Sequence, residues 1–111
     1  MGPLTVVCLC AAWCGVCQQY APEFKALQVK HPDVRFMWVD VEDDEALVGE
    51  VDIETFPTLL IGQGEVPWFL GPLLPQIQVL ERLLVSFQGA DQPKSAVSVE
   101  ALGLWQRLMS N

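Results

Sequence analysis

Two cysteines separated by two residues, Cys14 and Cys17 in the stretch Trp13-Cys14-Gly15-Val16-Cys17, can close a small disulfide ring and reopen it. That is electron-carrying chemistry, and it needs no metal or organic cofactor. Ahead of the pair, Leu4 to Cys10 is apolar, β-branched in part and uncharged, the pattern of a central strand covered on both faces. After it, Val16, Tyr20, Phe24 and Leu27 recur at spacings of three and four, so Gly15 to Lys30 reads as an amphipathic helix. Cys14 then lies at the helix N-terminus, where unpaired amides and the positive end of the dipole favour a thiolate. Cys17 follows by nearly one turn, on the same side but one layer deeper. Cys14 is the natural nucleophile toward a substrate disulfide. Cys17 can attack the resulting mixed disulfide and free the reduced substrate.

Read alone, a CxxC pair is also half of a zinc site or a chance pair of core thiols. A zinc site wants four ligands, and the remaining candidates are Cys8, Cys10 and the remote His31, so redox chemistry is the expectation and no metal is assigned. A cluster of all four cysteines around a metal would bury two of its ligands in a strand. Cys8 and Cys10 share one strand face and read as small buried hydrophobes. His31 follows Lys30 at a helix C-terminus, where a cation suits the dipole, and reads as local structure. At about 1.5 Å per residue the helix would carry it roughly 20 Å or more from Cys14.

The rest of the chain supplies the frame. Pro22 predicts a kink in the first helix, because proline removes a backbone donor and crowds the preceding turn. Val34 to Val41 reads as a second strand, and Asp43 or Asp44 can cap a short helix through about Glu50. Phe56-Pro57 opens a third strand, and Thr58 to Ile61 with Val66 to Leu70 should form an antiparallel hairpin around Gly62-Gln63-Gly64-Glu65. Pro67 in the second arm suggests an edge position. Pro75 opens a helix with Ile77, Leu80, Leu84 and Phe87 on one stripe. Residues 88–96 are a linker by composition, and Val99, Leu102, Trp105 and Leu108 mark a terminal helix over about 97–109. The 111 residues are read as one domain with a core over 4–87.

Charge narrows the partners. A net charge of −8 argues against nucleic acid and anionic membranes, which are gripped by clustered Lys and Arg. Eight of the fourteen acidic residues fall between Asp40 and Glu54, read as a solvated face, with a steering surface for a basic partner as the alternative. No apolar run approaches the roughly 20 residues that span a bilayer. Leu4 to Ala12 is apolar and ends in small residues like a secretory leader, but it has no basic start, runs straight into the cysteine motif, and cleavage there would remove the first strand. A reducing cytoplasm is the default compartment, and a monomer is expected.

Together these residues resemble the thioredoxin family: WCGVC after an apolar strand, Pro22 in the next helix, and Thr55-Phe56-Pro57-Thr58 opening the hairpin. The resemblance covers roughly Leu4 to Phe87. It implies an α/β fold, a thioredoxin-like three-layer sandwich around a mixed sheet. The family's additional first strand and helix have only Met1-Gly2-Pro3 opposite them here, so about four strands are expected. One sheet face then needs a cover, for which the terminal helix is the candidate and a partner or second subunit the alternative. The resemblance also implies a cis bond between Phe56 and Pro57, facing the dithiol, where Phe56 could pair with an extended substrate segment. By the family pattern Gly15, Val16, Phe56, Pro57, Leu70 and Gly71 form an apolar rim around Cys14, with Trp13 shielding the sulfurs. Phe56 and Trp13 could instead serve packing alone, and Gly71 could be an ordinary hairpin exit.

Thioredoxins commonly carry a buried Asp beneath the second cysteine and a Lys on the neighbouring strand. Counting from Cys14 and Pro57 puts Cys8 and Trp38 at those positions, so that proton route is absent. Cys8 behind the second active thiol raises a sharper possibility, a Cys8–Cys17 disulfide as an off state. Val16 stands where thioredoxin itself has Pro, which leaves the reduction potential open. The expected function is a thiol-disulfide oxidoreductase that reduces protein disulfides through Cys14 and Cys17, with electrons from a separate reductase. A binding or assembly module with little turnover is the alternative.

Overall fold

The computed structural model describes residues 4–11, 14–43, 46, 56–64, 66–89 and 99–109. Trp13, the short helix expected after Asp43 or Asp44, most of the acidic run and the stretch 90–98 lie outside the described residues. The strand β1 (Leu4–Cys10) is central, as its uncharged sequence implies. It pairs in parallel with β2 (Arg35–Asp40) and antiparallel with β3 (Thr58–Gln63), which pairs antiparallel with β4 (Val66–Pro72). The four-stranded order is β2-β1-β3-β4, which puts Pro67 on an edge strand as expected.

Between β1 and β2 the chain crosses over through α1 (Gly15–Lys30), whose buried stripe is Cys17, Tyr20, Phe24 and Leu27. The stripe differs from the expected one at its start: Val16 is turned outward at 38% exposure, and Cys17 takes the inward position. The helix runs through Pro22 and ends at His31, whose backbone N–H donates to the Leu27 carbonyl at 3.0 Å. α2 (Ile77–Gly89) lies beside it and buries Leu80 and Leu84.

Strand alternation sorts the core into two layers. Val6, Cys8, Cys10, Leu59 and Ile61 face the side of α1 and α2, packing with Tyr20, Phe24, Leu80 and Leu84. Val7, Leu9 and Leu60 face the other side, where α3 (Val99–Met109) buries Leu104, Trp105 and Leu108 on them. The terminal helix therefore covers the second face. Its inward stripe is Ala101, Leu104, Trp105 and Leu108, whereas Val99 is 82% exposed and Leu102 is also exposed. Trp105 and Leu108 belong to both the expected and the observed periodicity, and docking on the sheet selects the second.

Trp105 locks this arrangement. It is fully buried, and its indole N–H donates to the Gly64 carbonyl at 3.1 Å in the β3-β4 turn, where Gly64 takes φ 61°. The pairing register shifts between Ile61 and Gly62, and a Cβ at Gly62 would come within 2.9 Å of the Trp105 ring. Among the described residues no helix is long and apolar enough to cross a membrane.

His31 is not purely local: its Nε2 lies 3.1 Å from Glu81 Oε2 on α2, which also pairs with Lys30 Nζ at 2.8 Å. The hydrogen bond from Lys30, then that from His31, holds the Glu81 carboxyl below its ordinary value. A carboxyl held down in the folded chain stabilises it above the unfolded pKa of about 4.3, and this stabilisation is lost as pH falls through the folded value. Glu81→Gln should therefore lower stability to urea at neutral pH, and the difference from the parent should close in acid. Trp105→Ala should cost about 3 to 5 kcal/mol in the same measurement, since it opens a large cavity and removes the partner of the Gly64 carbonyl.

Candidate active site

The four cysteines gather where β1 runs into α1. After β1 the chain turns, with the Cys14 N–H donating to the Ala11 carbonyl at 3.0 Å, and Cys14 becomes the N-cap of α1 in an extended conformation. The Cys14 carbonyl accepts from the Gln18 N–H at 3.1 Å, the first turn of the helix. This geometry leaves Cys14 partly exposed as a free thiol and carries Cys17 inward to 1% exposure.

Cys17 is not bonded to Cys14. The disulfide in the structure joins Cys17 to Cys10, with their Cα atoms 5.9 Å apart, inside the usual span of roughly 4.4 to 6.8 Å. The Cys14–Cys17 ring and the Cys8–Cys17 bond considered from sequence are thus both absent from this state. The physical reason is placement: Cys10 ends β1 on the face that receives α1, where the inward-facing Cys17 meets it. Cys8 stays a free, buried thiol one pleat back and donates to the Cys10 sulfur at 3.7 Å. Burial pushes its pKa well up, so Cys8 remains protonated. Among the described residues no group of three or more His, Cys, Asp and Glu side chains is placed to hold a metal ion.

Cys8 pairs in register with Trp38 of β2, whose ring stands edge-on to Phe24 at 5.6 Å. The two positions at which the resemblance expects a buried carboxylate and its Lys thus hold a thiol and an indole paired across two strands. Tyr20 is the other buried titratable group here, and desolvation, then Cys8 and Glu23, push its pKa up.

The Phe56-Pro57 bond is cis. Phe56 and Cys14 both pack on the core layer that contains Cys10 and Cys17, so one end of the sheet brings them together. The Pro57 carbonyl accepts from the Leu73 N–H at 3.2 Å. Gly15 and Val16 are exposed beside Cys14, and a Cβ at Gly15 would meet open space. Gly71 pairs with Leu59 on the dithiol side of the sheet. Leu70 does not join this rim, because alternation turns it to the opposite layer against α3. Phe69 and Leu73 occupy the dithiol side instead, and the same two-residue period, counted from Gly71, would have found them. Cys10 is the other residue passed over as a core hydrophobe. Its parity with Cys8 was the available signal.

A family model for Thioredoxin matches residues 2–68. The chain belongs to the thioredoxin family. It is 40% identical over 77 residues to "Thioredoxin domain-containing protein 2" of Mus musculus, an alignment covering 68% of this chain and 15% of that protein. It is 38% identical over 55 residues to the thioredoxin of Ophiophagus hannah, covering 50% of this chain and 52% of that one. The chain thus spans only a small part of the first relative and about half of the second. Among solved structures, Fasciola hepatica thioredoxin superposes with a TM-score of 0.70 at 27% identity, covering 77% of this chain and 81% of that one. Chlamydomonas reinhardtii thioredoxin f2 gives 0.71 at 24% identity, covering 82% and 84%.

The accessibility of the sulfurs has a direct readout. Iodoacetamide applied to the native protein in the state described should label Cys14 alone, and denaturation without reductant should add Cys8 as the second labelled site. Mass spectrometry of the intact and digested protein checks both steps.

Proposed function

We propose that this chain is a thiol-disulfide oxidoreductase that reduces protein disulfides, with Cys14 as nucleophile and Cys17 as resolving thiol. The observation that carries this reading is the depth order of the two sulfurs. Cys14 is partly exposed at the start of α1, and Cys17 lies buried one turn behind it. Family membership supports thiol-disulfide chemistry in general. The working cycle begins when two electrons and two protons open the Cys10–Cys17 bond and return Cys17 as a thiol. The Cys14 thiolate then attacks a substrate sulfur and expels the other as a thiolate. Cys17 attacks the Cys14 sulfur, and the second substrate thiolate leaves.

The exposed flank of Gly15 and Val16, together with Phe56, Pro57 and Gly71, would receive the substrate segment. A separate reductase would supply the electrons in a reducing compartment. A second reading, a binding module with little turnover, is favoured by one feature: Cys8 and Trp38 stand where the family pattern has an Asp and a Lys, and among the described residues no buried carboxylate stands ready to take the Cys17 proton.

Insulin reduction driven by dithiothreitol separates the two. The reading expects precipitation of the insulin B chain well above the dithiothreitol background, and a loss of at least about tenfold on Cys14→Ser, the scale of removing a nucleophile. Reduced, folded protein that binds insulin yet gives only background turnover establishes the module instead.

A further inference from the structure

Three of the four sulfurs compete for two bonds. Cys17 lies within bonding reach of Cys10 in the structure, and its place in the CxxC motif brings it next to Cys14 in any working cycle. The two partners differ in one respect that matters: Cys10 is fully buried, whereas Cys14 is partly exposed. Moving the disulfide from one to the other changes which sulfur faces the solvent.

We propose that Cys10 is an alternative disulfide partner that takes Cys17 away from Cys14, converting the dithiol site into a single-thiol site at Cys14 that holds a glutathione-class disulfide ligand as a lasting mixed disulfide. The inference rests on the dithiol reading above and adds a second activity to the same site.

The exchange balances within the chain. Starting from oxidised Cys14–Cys17, the Cys10 sulfur attacks the Cys17 sulfur and gives up its proton, a step that burial slows without changing its end point. The Cys10–Cys17 bond forms, the Cys14–Cys17 bond breaks, and Cys14 leaves as a thiolate. The proton given up by Cys10 is balanced by one taken up at Cys14, and no electron enters or leaves. Cys14 then attacks glutathione disulfide, forming a Cys14-glutathione bond and releasing one glutathione thiolate, which is protonated by water. In an ordinary cycle Cys17 would now expel the adduct. Here it is bonded to Cys10, so release awaits an external thiol.

Two features of the surroundings keep the Cys10–Cys17 bond in place. Both sulfurs belong to residues almost wholly removed from solvent, so external thiols reach Cys14 first. The free thiol of Cys8 lies 3.7 Å from the Cys10 sulfur, and burial keeps it protonated and therefore a poor nucleophile. Cys14 is the thiol left to reopen the bond by reversing the exchange, and it loses that ability while its sulfur is bonded to glutathione.

The test maps the full-length chain after equilibration with glutathione disulfide, acid quenching, alkylation and chymotryptic digestion. Cleavage after Leu9, Trp13 and Tyr20 separates Cys8, Cys10 and the Cys14/Cys17 pair into three peptides. The proposal expects the Cys10 peptide linked to the third peptide through Cys17, with glutathione on Cys14. It also expects Cys10→Ala to hold at least tenfold less glutathione under the same conditions, because Cys17 is then free to expel it. A wild-type map showing only Cys14–Cys17 with Cys10 alkylated overturns it, as does an undiminished adduct in Cys10→Ala. The wild-type map needs no variant to fold. Insulin reduction by the wild type reads the dithiol function separately. Activity together with a map of Cys14–Cys17 alone removes only the alternative bond, whereas no activity in a protein that maps Cys10–Cys17 with glutathione on Cys14 removes only dithiol turnover.

Discussion

Everything in this fold hangs on β1 being buried from end to end. A strand hydrogen-bonded on both edges must also be covered on both faces, or its apolar side chains meet water. β2 and β3 take the edges, α1 and α2 take one face, and α3 takes the other. The dithiol depends on all of them, because the strand that must hold Val7 and Leu9 against α3 is the strand that aims Cys8 and Cys10 at α1. Trp105 on the far layer and Cys10 on the near one thus pack on opposite faces of the same sheet, whose central strand is β1.

The same constraint explains what the sequence could and could not reveal. Period-two and period-three-to-four patterns made the four described strands and three described helices legible, while the uncharged run of β1 pointed to its central place and Pro67 to the edge place of β4. They also fixed parity, which put Cys8 and Cys10 on one face. Parity does not say how far along the strand a helix residue lands. Whether Cys17 meets Cys8 or Cys10 is decided by the turn from Ala11 to Cys14 and by how α1 docks, which are tertiary facts. Leu70 was misplaced for the opposite reason: parity counted along β4 from Gly71 would have sent it to the α3 side. In α3 two overlapping apolar stripes were available, and only the sheet it packs on could choose between them.

The replacement of a buried carboxylate by Cys8 changes the physics under Cys17. An ionised carboxylate in such a place carries a desolvation cost that a partner charge has to offset. A thiol held neutral by burial carries no such cost, and it packs as a small hydrophobe beside Cys10 and Tyr20. Trp38, the residue paired with Cys8, sets its ring edge-on against Phe24. The site gains apolar cohesion and gives up a fixed proton acceptor.

That exchange bears on how the two disulfides of Cys17 would be balanced. Without a ligand on Cys14, Cys14–Cys17 and Cys10–Cys17 are at the same oxidation level, so two-electron oxidation or reduction fills or empties both together and leaves their ratio alone. The ratio responds only to something that distinguishes the two forms. Cys14 is free in just one of them, so a ligand that bonds to Cys14 draws the chain toward Cys10–Cys17 by mass action, and the buried bond in turn holds the ligand by denying it a resolving thiol. Coupling of this kind requires no conformational change in the fold. It requires only that a third sulfur, buried and on the correct face of β1, stand within reach of Cys17.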